Sequence, residues 1–189
     1  YDWCINLGAP AALVAGAVIA TIYEQNNSNK LAIRKNDQKW VQFAKKMSRL
    51  LLLSAFVLEI ISIFVTTVTG TALLSYADRS DAVSLVVSKS SMGFLREKFE
   101  FNYLTSRITF LQGLLHWLAS LGLEHVIPFD GEGVATRKMN RFIGTSILTI
   151  ILLMISFYNG QMTFYKNYWE MLKRYAVVAW VRYFWRWPP

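Results

Sequence analysis

Apolar residues arrive along this chain in four long blocks, at about residues 5–23, 50–76, 108–129 and 142–165, separated by polar, charge-rich stretches. A hydrocarbon core of about 30 Å needs roughly 20 apolar residues in a helix, and each block meets that length. The second is long enough to cross with tilt or to project beyond the bilayer. Lipid offers no partner to an exposed backbone N–H or C=O, so spans of this kind are helical. The alternation that marks a membrane β-barrel is absent. The pattern predicts an all-α integral membrane protein with four transmembrane helices, one domain over residues 1–189.

The segments between the blocks differ in kind. Residues 25–49 form a basic loop whose second half, from about Gln38, predicts a helix leading into the second span. Residues 77–107 carry mixed charge and predict a short amphipathic helix around Met92 to Phe101. Pro128, Asp130, Gly131 and Gly133 read as a turn. The tail, residues 166–189, has no breaker before Pro188, so the fourth helix is expected to run on beyond the membrane. Its Trp169, Trp180, Tyr183, Trp185 and Trp187, with Arg182 and Arg186, have the makings of an interfacial anchor.

Composition sharpens this picture. The hydrophobic share of 54% exceeds the roughly 45–50% of soluble domains. The formal net charge is +8, but the basic residues flank apolar blocks. Anionic headgroups or acidic protein surfaces are therefore the expected contacts, and nucleic acid is not. Loops one and three together carry ten Lys and Arg, and the other polar segments carry ten, so the positive-inside rule gives no majority. An even number of spans puts both termini on one side. If the basic loop dominates, they face away from the cytoplasm, matrix or stroma. Cys4, the single cysteine, excludes an internal disulfide and a cysteine-based zinc site within one chain. The opening at Tyr1 rather than Met is what processing of an organellar or secretory precursor would leave.

Small residues set the expected packing. Gly8, Ala12, Gly16 and Ala20 recur every four residues in the first span, and Ser62, Thr66 and Gly70 repeat the device in the second. Such ridges let backbones approach closely, which is how lipid-embedded helices gain dispersion contact. They serve either packing within the four-helix unit or docking onto neighbouring subunits, and the sequence leaves both open.

Ionisable groups at membrane depth are costly and are functional candidates for that reason. Glu59 lies in the second span and is expected either protonated or paired with a polar group such as His116 or Gln112 of the third. His116 is also the candidate ligand for a pigment such as chlorophyll. Glu124 and His125, near the end of the third span, are expected at the interface. No P-loop, H-E-x-x-H or G-x-S-x-G motif is present, and two histidines cannot supply a histidine-rich metal centre. Asn26-Asn27-Ser28 fits the glycosylation sequon.

The run Ala12-Leu13-Val14-Ala15-Gly16-Ala17-Val18-Ile19-Ala20-Thr21-Ile22-Tyr23-Glu24 resembles the pore-lining first helix of the Orai calcium-channel family. That resemblance implies a selectivity ring at Glu24, with Gly16 as the helix glycine, in a plasma-membrane channel. Carboxylate rings suit Ca²⁺, a hard cation that prefers oxygen ligands.

With no catalytic constellation, the leading expectation is a non-enzymatic accessory subunit of a large organellar membrane complex. A photosystem-antenna supercomplex of the chloroplast thylakoid is favoured over the mitochondrial inner membrane. Its partners would be other integral membrane subunits and lipids. No cofactor is required, although chlorophyll, carotenoid or lipid could bind at the aromatic surface. The alternative is the Orai-like cation channel subunit.

Overall fold

The computed structural model describes residues 2–28, 30–77, 91–129, 131–162 and 165–185. Asp130 of the expected turn and Arg186, Trp187 and Pro188 of the tail lie outside these. Among the described residues every regular element is helical. The elements are α1 (Asp2–Ser28), α2 (Lys39–Ala77), α3 (Ser91–Lys98), α4 (Glu100–Val126), α5 (Val134–Gly160), α6 (Tyr168–Trp180) and a π-helical turn (Val181–Trp185) that continues α6.

Three helices are long and apolar enough to cross a membrane: α1, α2 and α5. The expectation of four is not met by length and composition, because α4 has the length, 27 residues, but not the apolarity. Asn102, Thr105, Ser106, Arg107, Thr109, Gln112, His116 and Ser120 interrupt its apolar run. Its surroundings explain why it can be so polar. Helices α1, α2, α5 and α6 all pack on α4, and Leu104, Ser106 and Ser120 are fully buried. A helix enclosed by other helices needs no continuous lipid-facing surface.

The α2–α4 pair forms the spine. On α2 the buried positions Val41, Lys45, Ser48, Leu52, Ala55, Glu59, Ser62, Thr66 and Thr69 alternate steps of four and three, the heptad spacing of left-handed helix pairs. The pairing is antiparallel. Ser120 Oγ donates to Ser48 O at 2.8 Å while Ser48 Oγ reaches Ser120 O at 3.2 Å. Further along, Ser62 Oγ donates to Ser106 O at 3.1 Å and Asn102 Nδ2 to Thr69 Oγ1 at 2.8 Å. Helix α5 crosses α4 where two glycines meet. A Cβ on Gly144 would lie 2.7 Å from Gly122 O, so the backbones touch.

One boundary agrees with expectation and others differ. Helix α2 begins at Lys39, where the basic loop was expected to turn helical. The loop before it folds around its one acid. Lys45 Nζ donates to Asp37 Oδ2 at 2.7 Å and to Ala32 O at 2.8 Å, and Arg34 N–H donates to Asp37 Oδ2 at 2.9 Å. The amphipathic helix is α3, and Phe99 separates it from α4, which starts eight residues before the third apolar block. Helix α5 does not run on into the tail. It stops at Gly160, and α6 restarts after Asn167, whose side chain accepts from Glu170 N–H at 2.9 Å. Glu170 Oε2 in turn accepts from Lys166 N–H at 2.8 Å. This is a capping arrangement, Asn at the N-cap and Glu three residues on, which satisfies donors that a continuous helix would not expose.

Helix α6 folds back along α4. Arg174 grips Glu100 with two hydrogen bonds of 2.9 and 2.8 Å. Met171 is fully buried against Leu104 and Ile108. The aromatic tail is thus held at the N-terminal end of α4, with Trp169, Trp180 and Trp185 still exposed.

Candidate docking face and the buried polar seam

Helix α1 meets the bundle through Cys4, Ala11, Ala15, Val18 and Gln25, all buried. Val18 packs on Leu52 and Ala55 of α2. Only one member of the four-residue ridge joins that contact closely: a Cβ on Gly8 would come within 2.9 Å of Thr66 Oγ1. Ala12, Gly16, Ala20 and Glu24 are exposed. Helix geometry is the reason. Every fourth residue advances about 40° around the axis, so three steps carry the ridge from the α2 side at Gly8 to the far side at Ala20. Ala9 and Leu13 share the outward face. A Cβ on Gly16 would meet nothing within 4 Å. Beside the ridge, a groove of about 310 Å³ between α1 and α2 is lined by Ile5, Gly8, Ala9, Thr66, Gly70 and Leu74.

The second-span ridge has the opposite fate. Ser62, Thr66 and Gly70 are all buried. Ser62 bonds α4, Thr66 closes on Gly8, and Gly70 lines the groove.

The expected partner for Glu59 is not there. His116 shares a 2.8 Å hydrogen bond with Ser54, and Gln112 Nε2 donates to Tyr168 Oη at 2.7 Å. Glu59 is fully buried, and among the described residues neither carboxyl oxygen has a hydrogen-bond partner. It fills a notch made by Gly113, where a Cβ would stand 2.5 Å from Glu59 Oε1. A missing side chain on α4 thus accommodates the carboxyl on α2.

His116 retains one ligating nitrogen. The Ser54 hydroxyl donates to Leu51 O at 2.8 Å, so its single proton is committed and it accepts from His116 Nδ1–H. That tautomer leaves Nε2 with a free lone pair, the atom that would hold a pigment magnesium. Glu24, the carboxyl implicated by the Orai resemblance, is exposed on the same outward face as Gly16 and Ala20. Its neighbour Gln25 turns inward and donates to Glu124 Oε2 at 2.9 Å.

Outside the spans, the hydrogen bond from Lys45, with a second from the Arg34 N–H, holds the Asp37 carboxyl below the usual carboxylate range. The basic loop is therefore pinned through a side chain that stays ionised under mildly acidic conditions.

Three features were missed from sequence: the Gly122–Gly144 crossing, the Gly113 notch and the Asn167 cap. Two of the signals were isolated glycines inside apolar runs, and the third was an Asn followed three residues later by Glu.

Helix content, apolar length and an enclosed polar helix define an α-helical membrane protein. Comparison with family models, with curated proteins and with solved structures finds no match to this chain.

Proposed function

We propose that this chain is a non-catalytic subunit of a membrane protein assembly, docking a neighbouring subunit on the outward face of α1. One observation carries the reading: Gly16 sits in open space between the exposed Ala12 and Ala20. A small-residue face gains little from lipid chains but admits another backbone closely. The reading includes α4 as a fourth crossing, supported by its antiparallel run along α2 with its polar groups bonded inside the bundle. The proposed setting is a large organellar complex of unlike integral subunits, a chloroplast thylakoid antenna supercomplex before a respiratory one. Lipid, carotenoid or chlorophyll would contact the surface, with His116 Nε2 as the candidate ligand for a pigment. Purification of the native assembly with identification of its co-migrating chains tests this. Unlike subunits are the expected result, and a pure homomer would reject it.

A second reading is favoured by one specific observation, the place of Glu24 on the same bare face. It is an Orai-like ring in the plasma membrane with α1 at its axis. That reading expects a homomer whose Ca²⁺ current is abolished by Glu24→Gln, and co-purification with pigmented complexes would reject it.

A further inference from the structure

Helices α1 and α5 both pack on α4, and among the described residues no packed interface joins them to one another. The contacts of α4 show which of its sides each neighbour takes. Tyr103 meets Trp3 of α1 edge-on, and Trp117 Nε1 donates to Thr21 Oγ1 of α1 at 3.1 Å. Gly122 meets α5, and Leu104 and Ile108 pack with Tyr158 of that helix. Between these two sides runs a stripe of Arg107, Phe110, Leu114, Leu118 and Leu121, in steps of three and four and all half-buried. It floors a furrow between α1 and α5. The stripe is about 20 Å long, enough for one leaflet's share of a hydrocarbon core of about 30 Å.

The furrow floor is apolar except at Arg107. Its neighbour Ser106 O accepts from Ser62 Oγ, inside the apolar run of α2, so Arg107 is rooted at membrane depth. Its Nη1 donates to Tyr103 Oη, one turn nearer the start of α4, and its Cζ stands 5.1 Å from the Tyr103 ring centroid. The side chain thus reaches toward the end of the bundle where Trp180 and Trp185 are exposed, as a snorkelling arginine does. Among the described residues no carboxylate pairs with it, and Glu100, two turns away, is held by Arg174. A guanidinium carries five donors, and one phenol oxygen does not satisfy them.

We propose that this furrow holds an anionic phospholipid, with its phosphate on Arg107 and one acyl chain laid along Phe110, Leu114 and Leu121. A phosphate matches the guanidinium fork with two parallel hydrogen bonds. The occupant must be charged at one end and apolar along its length, and a phospholipid has that form. An anionic headgroup suits the site better than choline, because no free carboxylate stands beside Arg107 to take a headgroup cation. The inference rests on α4 as a fourth crossing, and not on what covers α1.

The test uses the full chain in nanodiscs of mixed phosphatidylglycerol and phosphatidylcholine, with retained lipid read by native mass spectrometry. The expected result is about tenfold retention of the glycerol lipid over the choline lipid, and loss of that preference in Arg107→Gln. Leu114→Trp blocks the path of the chain with Arg107 intact and should lower retention as far, with an unchanged melting temperature. It keeps the test valid if the arginine variant fails to fold. Equal retention of both lipids, or a preference that survives Arg107→Gln, overturns the proposal. A partner's carboxylate on Arg107 would show as a subunit lost from the native assembly in Arg107→Gln with lipid retention unchanged, which also overturns it. Phe110→Cys, made with Cys4→Ser, tests the crossing separately. Labelling by a water-soluble maleimide would overturn the crossing and the site together, whereas a protected thiol without lipid preference overturns the site alone.

Discussion

Helices α1 and α5 both leave a broad face outside the bundle, and the two faces are built from different side chains. Outward on α5 stand Phe142, Ile150, Leu152, Leu153 and Phe157. Outward on α1 the small residues Ala9, Ala12, Gly16 and Ala20 stand among the bulkier Ile5, Leu13, Ile19 and Tyr23. Both helices are apolar enough to cross, so hydropathy does not separate them. Side-chain size does. Long side chains fill the space between acyl chains, whereas alanine and glycine expose a backbone that only another close-packed surface contacts well. Exposure alone therefore does not mark a lipid face.

The largest expected effect falls on assembly. Gly16→Leu should weaken subunit association by about 100-fold or more, a plausible cost for a bulky group in a close helix contact. The melting temperature of the isolated chain should not change, since a side chain there meets nothing. Phe157→Ala on α5 should leave association within about 0.5 kcal/mol. Sedimentation or native mass spectrometry measures both. If both variants dissociate the assembly, the distinction between the faces is lost.

Next in size is Gly144→Ala. Its Cβ would lie 2.7 Å from Gly122 O and 2.8 Å from Val126 Cγ2, so α4 and α5 must part. The expected loss is about 1–3 kcal/mol of fold stability, read by thermal melting, with association through α1 unaffected. The inner and outer glycines would thereby separate folding from docking. Ser120→Ala removes one side of the reciprocal pair with Ser48 and should cost about 0.6 kcal/mol, in line with interhelical hydrogen bonds in membranes.

The smallest effect concerns the loop that joins α1 to α2. Asp37 titrates lower in the folded chain than its usual value of 3.8. Its contribution is therefore fully present above that value and fades as pH falls through the lower folded value. Melting of the native chain should lose stability at strongly acid pH by more than Asp37→Asn does, and the two curves should run parallel near neutrality. A difference that instead developed above pH 5 would contradict the role given to this carboxylate.

The apolar blocks made the helical class legible, and Gln38 correctly marked where α2 starts. Two things were not legible, each for a physical reason. A four-residue ridge looks continuous in sequence, yet it winds around the axis, so Gly8 and Gly16 face different neighbours. The third apolar block reads as a span in sequence, yet α4 falls short of the apolarity of α1, α2 and α5, because the Ser106, His116 and Ser120 among its residues are polar groups bonded within the bundle or to a facing helix. The pairing of Glu59 failed for a related reason. A notch at Gly113 accommodates it without a donor, and an absent side chain leaves no signal in a search for partners. The break before α6 was readable in Asn167 and Glu170 but is easily overlooked in so aromatic a segment.

The most direct test places a photo-crosslinking residue at position 16 of α1 or at position 157 of α5 in native membranes. Position 16 should give protein adducts in high yield, and position 157 should give lipid adducts. Lipid adducts alone at position 16 would contradict a docking face on α1.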